Sequence, residues 1–343
     1  MLFLANLVYV VAFGGSIVGF VSGQRLDSYN VDKNEISVSG ISAGGAMAVQ
    51  FHVAYSGSVK GVGSVAGIPY HCAFGNILEA LEVCMALPAD IVIEDLEAYT
   101  NLQADNGLID AVSNMAKQKV IVIHGINDTR VNVGASAKIA DYYRQYGSKV
   151  KEVYRDGMEH NFPTEDYGSD CSVTTSPYIG KCRFNGAFAI LNHIYGKLKR
   201  PVRNARGEFL TFNQREFVVS NEEDPSDDPM FMDTEGFAYI PSGCSKKGRH
   251  HRKNGKACKL HVVFHGCKQG RQSIGDVFAK HAGYNEVAEA NNIIILYPQT
   301  ALFPPYNPNG CYDWWGVTSI GYDLKSAPEM ATVKRMIDRI IGQ

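Results

Sequence analysis

The chain has almost no net charge, few tryptophans and, beyond its first residues, no long apolar run. Its 33 Lys and Arg nearly cancel its 35 Asp and Glu, leaving a net charge of −2. No overall field therefore draws it to nucleic acid or to an anionic membrane surface. After the N-terminal segment nothing approaches the ~20 consecutive apolar residues that span a bilayer. There are only two tryptophans. No pair of cysteines has the spacing of zinc ligands, so no metal is expected. Internal repeats and disordered linkers are lacking too, which argues against repeat arrays and strings of modules.

What is present is ordinary for a globular protein: 343 residues, 45% hydrophobic and 20% charged. That length suits one large α/β domain or two small ones. The opening MLFLANLVYVVAFGGSIVGFVSG has no charged side chain before Arg25. It reads as a secretory signal over residues 1–23, with small residues Val21 and Gly23 before a cut ahead of Gln24. An uncleaved anchor is the alternative, and Gly14, Gly15 and Gly19 weaken the helix it would need. Residues 24–343 are then expected to form a single domain. Eight cysteines behind an export signal imply an oxidising compartment and disulfides. Proximity in sequence suggests Cys72–Cys84, Cys171–Cys182 and Cys244–Cys258, leaving Cys267–Cys311, although sequence alone does not fix connectivity.

Short apolar strands alternate with amphipathic helices, the pattern of a mostly parallel sheet covered on both faces. Strands are expected at 36–39, 59–66, 119–124 and 149–154, and helices at 43–55, 135–146 and 184–199. Residues 76–117 read as mixed and mostly helical. GEFLTFNQREFVV and GFAYIP read as paired strands flanking the acidic loop EEDPSDDPMFMD. KLHVVFHGC and NIIILYPQT read as buried strands with a helix at 276–290 between them. In the final helix Val333, Met336, Ile337, Ile340 and Ile341 mark one face. The basic run at 246–256 reads as a solvated loop tied off by Cys244 and Cys258.

Gly40-Ile41-Ser42-Ala43-Gly44 fits G-x-S-x-G between a strand and a helix. In that motif the serine sits on a sharp turn, and glycines are needed because a Cβ would clash. A Gly-Ser loop is the bland reading of so short a pattern. A serine hydroxyl needs a base to become a nucleophile. The partners should follow in the order acid, then histidine. KVIVIHGINDTRV offers Asp128 just past one strand, and YRDGMEHNFP offers His160 just past the next. Strand ends of this kind are where ligands gather in open α/β sheets. Asp156 and Glu159 compete as the acid, and His124 could imitate an oxyanion His-Gly, but none keeps both position and order. The N–H of Ala43 is the first oxyanion donor, and the loop LHVVFHGCKQG supplies Cys267 as the second. A Cys267–Cys311 bridge would stiffen that loop, and His265 is expected to brace it rather than act as a base. Asn127-Asp128-Thr129 is a glycosylation sequon and is expected to be unmodified.

The serine comes early and the His-Gly-Cys loop late, the reverse of the usual order of such sites. The final helix has the character of one that precedes a strand, and the first strand lacks its preceding helix. Joined end to start they give helix, loop, strand, elbow, with the old ends connected near 199–207. That is a circular permutation, cheap where termini lie close together.

GISAGGAMA, HGCKQ, LYPQT and CYDWWG together resemble the poly(3-hydroxybutyrate) depolymerases, in their circularly permuted single-domain class. The resemblance covers essentially all of 24–343. It implies a circularly permuted α/β-hydrolase, disulfide-stabilised, with a mostly parallel central sheet and helices on both faces. It implies a secreted, extracellular serine esterase without metal or organic cofactor, acting on a polyester or small ester. By the same resemblance the triad is Ser42, Asp128 and His160, and the oxyanion donors are Ala43 and Cys267. No appended polymer-binding domain is legible, a monomer is expected, and the acidic and basic loops have no place in the resemblance. Tyr312, Trp314 and Trp315 are candidate substrate contacts, with at least one tryptophan expected in the core. ALFPPYNPNG is a candidate stiff wall of the cleft. A feruloyl or acetyl esterase is the nearest rival, and a binding protein on an inactive hydrolase scaffold is the rival from another class.

Overall fold

The computed structural model describes residues 24–218, 231–245 and 256–343. Residues 1–23, expected to be a signal, most of the acidic loop and nearly all of the basic run lie outside the described residues. The strands in chain order are β1 (Val31–Ile41), β2 (Gly61–Val65), β3 (Lys119–Gly125), β4 (Lys149–Arg155), β5 (Phe162–Thr164), β6 (Ser169–Asp170), β7 (Ile179–Lys181), β8 (Glu208–Asn213), β9 (Glu235–Ile240), β10 (Cys258–Phe264) and β11 (Ile293–Tyr297). Eight of them form one sheet in the order β4-β3-β2-β1-β10-β11-β9-β8. From β4 to β11 every neighbouring pair is parallel, and β9 runs antiparallel to both β11 and β8.

The apolar runs explain this burial. Successive side chains in a strand point to opposite faces, so a strand buried on both sides needs apolar residues throughout. In β3, Val120 and Val122 enter one core while Ile121 and Ile123 enter the other. In β11, Ile294 and Leu296 face the first core, and Ile293, Ile295 and Tyr297 the second. The helix Ala43–Ala54 is buried along its whole length. Its first residues, Ala43, Gly44, Gly45 and Ala46, are small enough to let it approach the sheet.

β1 is the first strand of the sheet in sequence, yet it sits in the middle of it, between β2 and β10. Val38 pairs with Val262 and Gly40 with Phe264, residues more than 200 positions later. The last helix, Pro328–Ile341, buries Val333, Met336, Ile337, Ile340 and Ile341 and ends beside the approach to β1. There the Tyr29 N–H donates to Ile340 O at 2.8 Å, and Arg339 Nη1 donates to Leu26 O at 3.3 Å. Helix and central strand are thus adjacent in space and opposite in sequence, which is the permuted arrangement. The link 199–207 runs along the helix Tyr284–Asn291, held by the Lys199 N–H to Asn291 Oδ1 and the Val202 N–H to Glu286 O.

Two local features differ from the sequence expectation. The helix expected at 276–290 is broken at Gly283, whose φ of 82° only glycine adopts readily, into Val277–His281 and Tyr284–Asn291. A small sheet, β5-β7-β6, fills the stretch after His160, with strands too short to show any periodicity. Four disulfides join Cys72–Cys84, Cys171–Cys182, Cys244–Cys258 and Cys267–Cys311. Among the described residues no helix is long and apolar enough to cross a membrane.

Candidate active site

β1 delivers Ser42 to a turn so tight that its φ is 55°, a left-handed value that costs a non-glycine residue energy. The turn is pinned by the Ser42 N–H to Val65 O at 2.9 Å and the Ala46 N–H to Ser42 O at 2.9 Å. A Cβ on Gly40 would lie 2.1 Å from Gly44 O, and one on Gly44 would lie 2.3 Å from both Phe264 O and His265 O. The obstacles are backbone atoms, so the motif's glycines are a steric requirement of this bend. Gly44→Ala should therefore cost about 3 kcal/mol or more of stability. Urea unfolding reads this directly, and an unchanged midpoint would contradict the packing described.

The loop after β10 closes on the same turn. A Cβ on Gly266 would come within 3.3 Å of Ser42 Cβ. Gly266 N–H donates to Gln269 Oε1 at 2.8 Å, and Gln269 Nε2 donates to the carbonyls of Pro177 and Tyr178, both at 3.0 Å. Lys268 N–H donates to Asn309 O at 2.7 Å, and the Cys267–Cys311 bridge fastens the same loop to the segment after β11. Among the described residues, neither the Ala43 N–H nor the Cys267 N–H is taken up by a protein acceptor. Unengaged backbone donors are what a developing oxyanion needs, and these two remain the candidates for that role.

His265 is fully buried beneath this loop, and burial pushes its pKa down to about 4. Its Nδ1 donates to Gly266 O at 2.8 Å, while Nε2 accepts from the Thr300 N–H at 3.2 Å. Both ring atoms are spent on backbone, as expected of a brace and not of a base.

On the other side of the elbow, the loops after β3 and β4 are driven together because Gly125 leaves room for the Met158 carbonyl. A Cβ there would lie 2.0 Å from that oxygen. Ile126 N–H donates to Arg155 O at 2.9 Å and Asn127 N–H to Met158 O at 3.2 Å. This juxtaposition sets Asp128 against His160, whose Nδ1 donates to Asp128 Oδ2 at 2.7 Å. The Asp128 side chain has no exposure, and the His160 ring is nearly buried. Burial would raise the Asp128 carboxyl, but hydrogen bonds from His124 and His160 and their charge outweigh it and hold the group well below the carboxylate range. With Nδ1 engaged, Nε2 is the atom of His160 left to take a proton from a hydroxyl. Among the described residues no hydrogen bond joins the Ser42 hydroxyl to that ring; such contacts often tighten only when substrate arrives.

The competing acids do not touch the imidazole. Asp156 accepts the Gly157 N–H, and Glu159 accepts the backbone N–H of His160 and of Thr129. His124 lies not at the oxyanion side but behind Asp128, where its Nε2 meets Oδ2 at 3.1 Å. Asn127 of the sequon is exposed, with Oδ1 accepting the Gly157 N–H at 2.8 Å.

Tyr312 needs correction as a substrate contact. It is fully buried, packs on Phe264 and His265, and donates its hydroxyl to Pro298 O. A residue with no exposed surface supports the loop after β10 from beneath and does not line a cleft. Trp314 belongs to the core cluster, while Trp315 is only partly buried against it. Trp315 is held by buried Asp313, whose carboxylate accepts the N–H groups of Trp315, Gly316, Val317 and Thr318. Sequence reasoning missed Asp313 and Gln269 as organisers; Gln269 was visible in HGCKQ, whereas nothing in CYDWWG separates the nest-forming Asp313 from a surface aspartate.

The sheet order, the strained turn at Ser42 and the loop after β10 that closes on it are the architecture of the α/β-hydrolase class. The prolyl oligopeptidase family, Peptidase_S9, matches residues 24–173. Across the whole chain, a poly(3-hydroxybutyrate) depolymerase of Delftia acidovorans is 39% identical over 98% of this chain, which spans 66% of that relative's length. A polyhydroxybutyrate depolymerase of Talaromyces funiculosus is 33% identical over 98% of this chain and 97% of its own. The solved structure of a PHB depolymerase complexed with an R3HB trimer superposes with a TM-score of 0.81 at 34% identity, covering 93% of this chain and 99% of that one. The chain belongs to the polyhydroxybutyrate depolymerase family, which places it among serine carboxylic-ester hydrolases.

Proposed function

We propose that this protein is a secreted enzyme that hydrolyses poly(3-hydroxybutyrate)-like short-chain polyesters or their oligomers through an acyl-enzyme on Ser42. The observation that carries the reading is the hydrogen bond from His160 to buried Asp128, on the same edge of the sheet as the strained Ser42 elbow. His160 Nε2 removes the Ser42 proton as Oγ attacks the ester carbonyl. The oxyanion is held by the N–H groups of Ala43 and Cys267. His160 then returns the proton to the departing alcohol, the hydroxyl end of the next 3-hydroxyacid unit. Water, deprotonated by the same ring, releases the free acid and restores Ser42.

The polyester substrate is supported by the names of relatives that match nearly the whole chain. It also suits the apolar surface following two strand ends. Phe74, Leu78 and Leu87 after β2, and Phe303 and Tyr306 after β11, are exposed, the last to 66%. Four disulfides fit an oxidising, extracellular setting. The domain reading, a catalytic unit over 24–343 behind a removed signal, is part of the same proposal.

Side-by-side turnover of a 3-hydroxybutyrate trimer and a feruloyl ester tests the substrate. The trimer should be preferred in kcat/KM by about a hundredfold or more. The reverse preference would make the protein a cell-wall esterase. Turnover of neither, with no labelling of Ser42 by a fluorophosphonate, would make it a binding protein.

A further inference from the structure

Asp128 is held by more than the histidine that its proposed role requires. Oδ1 accepts the N–H groups of Arg130 and Val131 at 2.8 and 2.9 Å. Oδ2 accepts from His160 Nδ1 at 2.7 Å and from His124 Nε2 at 3.1 Å. An ionised carboxylate offers about four lone-pair sites, and here all are filled. The proton on His124 is placed by its neighbour: Nε2 is also 3.0 Å from Val131 O, which can only accept, so Nε2 carries a hydrogen shared between that carbonyl and Asp128. The other ring atom, Nδ1, meets Ser136 Oγ at 2.8 Å on the helix Gly134–Gln145. His124 and Ser136 are both fully buried. A serine and a histidine thus back the carboxylate from the core, facing the pair expected to do chemistry on its open side.

We infer that His124, backed by Ser136, is a positioning residue of the hydrolytic site: it fixes the Asp128 oxygen that His160 uses and competes with His160 for it. The inference rests on the reading of Ser42, Asp128 and His160 as the triad. Two consequences follow from the sharing of Oδ2. The carboxylate cannot swing, so the His160 ring is held in one orientation toward the elbow. The carboxylate also stabilises a charged His160 less than an unshared one would. The groups facing His160 are Asp128 on its ring and Glu159 and Thr174 on its backbone N–H, and only His124 reaches Oδ2 from behind.

His124→Phe keeps the volume and removes the donor. With p-nitrophenyl butyrate, it should lower kcat by about 10- to 100-fold, the cost of a small misplacement, with KM little changed. The acid limb of the pH profile should move to higher pH by roughly half a unit or more. His124→Gln places an amide nitrogen with two hydrogens where Nε2–H is shared, and should restore most of kcat. A folded His124→Phe protein with the wild-type kcat and profile would overturn the inference. So would equal losses in the Phe and Gln variants. Should His124→Phe not fold, ¹⁵N-histidine NMR of the wild-type protein decides. The His124 Nε2–H resonance should shift as His160 gains its proton, and an unmoved resonance would overturn the inference. Ser42→Ala in the same assay keeps the two readings apart. Activity retained in Ser42→Ala defeats the triad, whereas a dead Ser42→Ala beside an unaffected His124→Phe defeats only this proposal.

Discussion

Ser42→Ala should reduce kcat for p-nitrophenyl butyrate by on the order of 10⁶-fold, the scale on which a nucleophile of this type is felt when deleted alone. The fold should survive unchanged. The Ser42 hydroxyl makes no hydrogen bond among the described residues, and alanine at φ 55° is strained to about the same extent as serine. The thermal midpoint should therefore stay within a few degrees of wild type, so that loss of activity reports chemistry and not unfolding. Adding His160→Ala should cost little more, because the two residues act as a unit and their losses do not add. A Ser42→Ala protein with measurable wild-type turnover would move the nucleophile elsewhere, and a double variant with multiplied losses would uncouple the pair.

Stability should fall steeply as the solution is acidified below pH ~6.5. His52, His261 and His265 are fully buried, and burial lowers their pKa values to about 4, 3 and 4. Each is held neutral: His52 Nδ1 meets Tyr143 OH at 2.9 Å, and His261 sits between Ser37 Oγ at 2.6 Å and Ser39 Oγ at 2.7 Å. In the unfolded chain these rings protonate near pH 6.5, while in the folded chain His52 and His265 resist until about 4 and His261 until about 3. Between those values the unfolded state binds more protons, so stability is whole above the upper value and drains away as pH falls. Each ring contributes up to about 1.4 kcal/mol per pH unit, and three together about 4 kcal/mol per unit. Against a typical total of roughly 5–15 kcal/mol, a fall from pH 6.5 to 5 would remove much of the margin. Asp128 adds to the same trend further down. Its folded pKa is depressed, so its contribution is present above the unfolded carboxylate range and is lost only in stronger acid. Urea midpoints at pH 7.5 and 5.0 measure the effect, and equal midpoints would contradict it. His52→Phe should flatten the slope by about a third if its ring carries an equal share.

Much of this molecule was legible because its requirements are local. The turn announces itself through glycines at 40 and 44, whose absent side chains are needed within two residues of Ser42. Asp128 and His160 fall at the same edge of the sheet because each follows a strand legible in sequence, the apolar KVIVIH and the alternating KVKEVY. The disulfide pairs followed from short spacings, the last by remainder. What sequence could not show is three-dimensional convergence. His124, near the end of β3, reads in sequence only as a rival oxyanion His-Gly, and only folding brings its ring behind Asp128 and against Ser136. Tyr312 shares CYDWWG with an aromatic pair that suggests a binding wall, yet the turn buries it under His265. The sheet β5-β7-β6 depends on Cys171–Cys182 and on pairings between strands of two or three residues, which leave no pattern.

The central claim is that Ser42 cleaves the ester bonds of a polyester. Incubation of the purified protein with amorphous poly(3-hydroxybutyrate), with products resolved by mass, addresses it most directly. The expected result is free 3-hydroxybutyrate and its short oligomers, released by the wild-type protein and absent with Ser42→Ala. An undiminished polymer, from folded protein whose Ser42 still reacts with a fluorophosphonate, would contradict it.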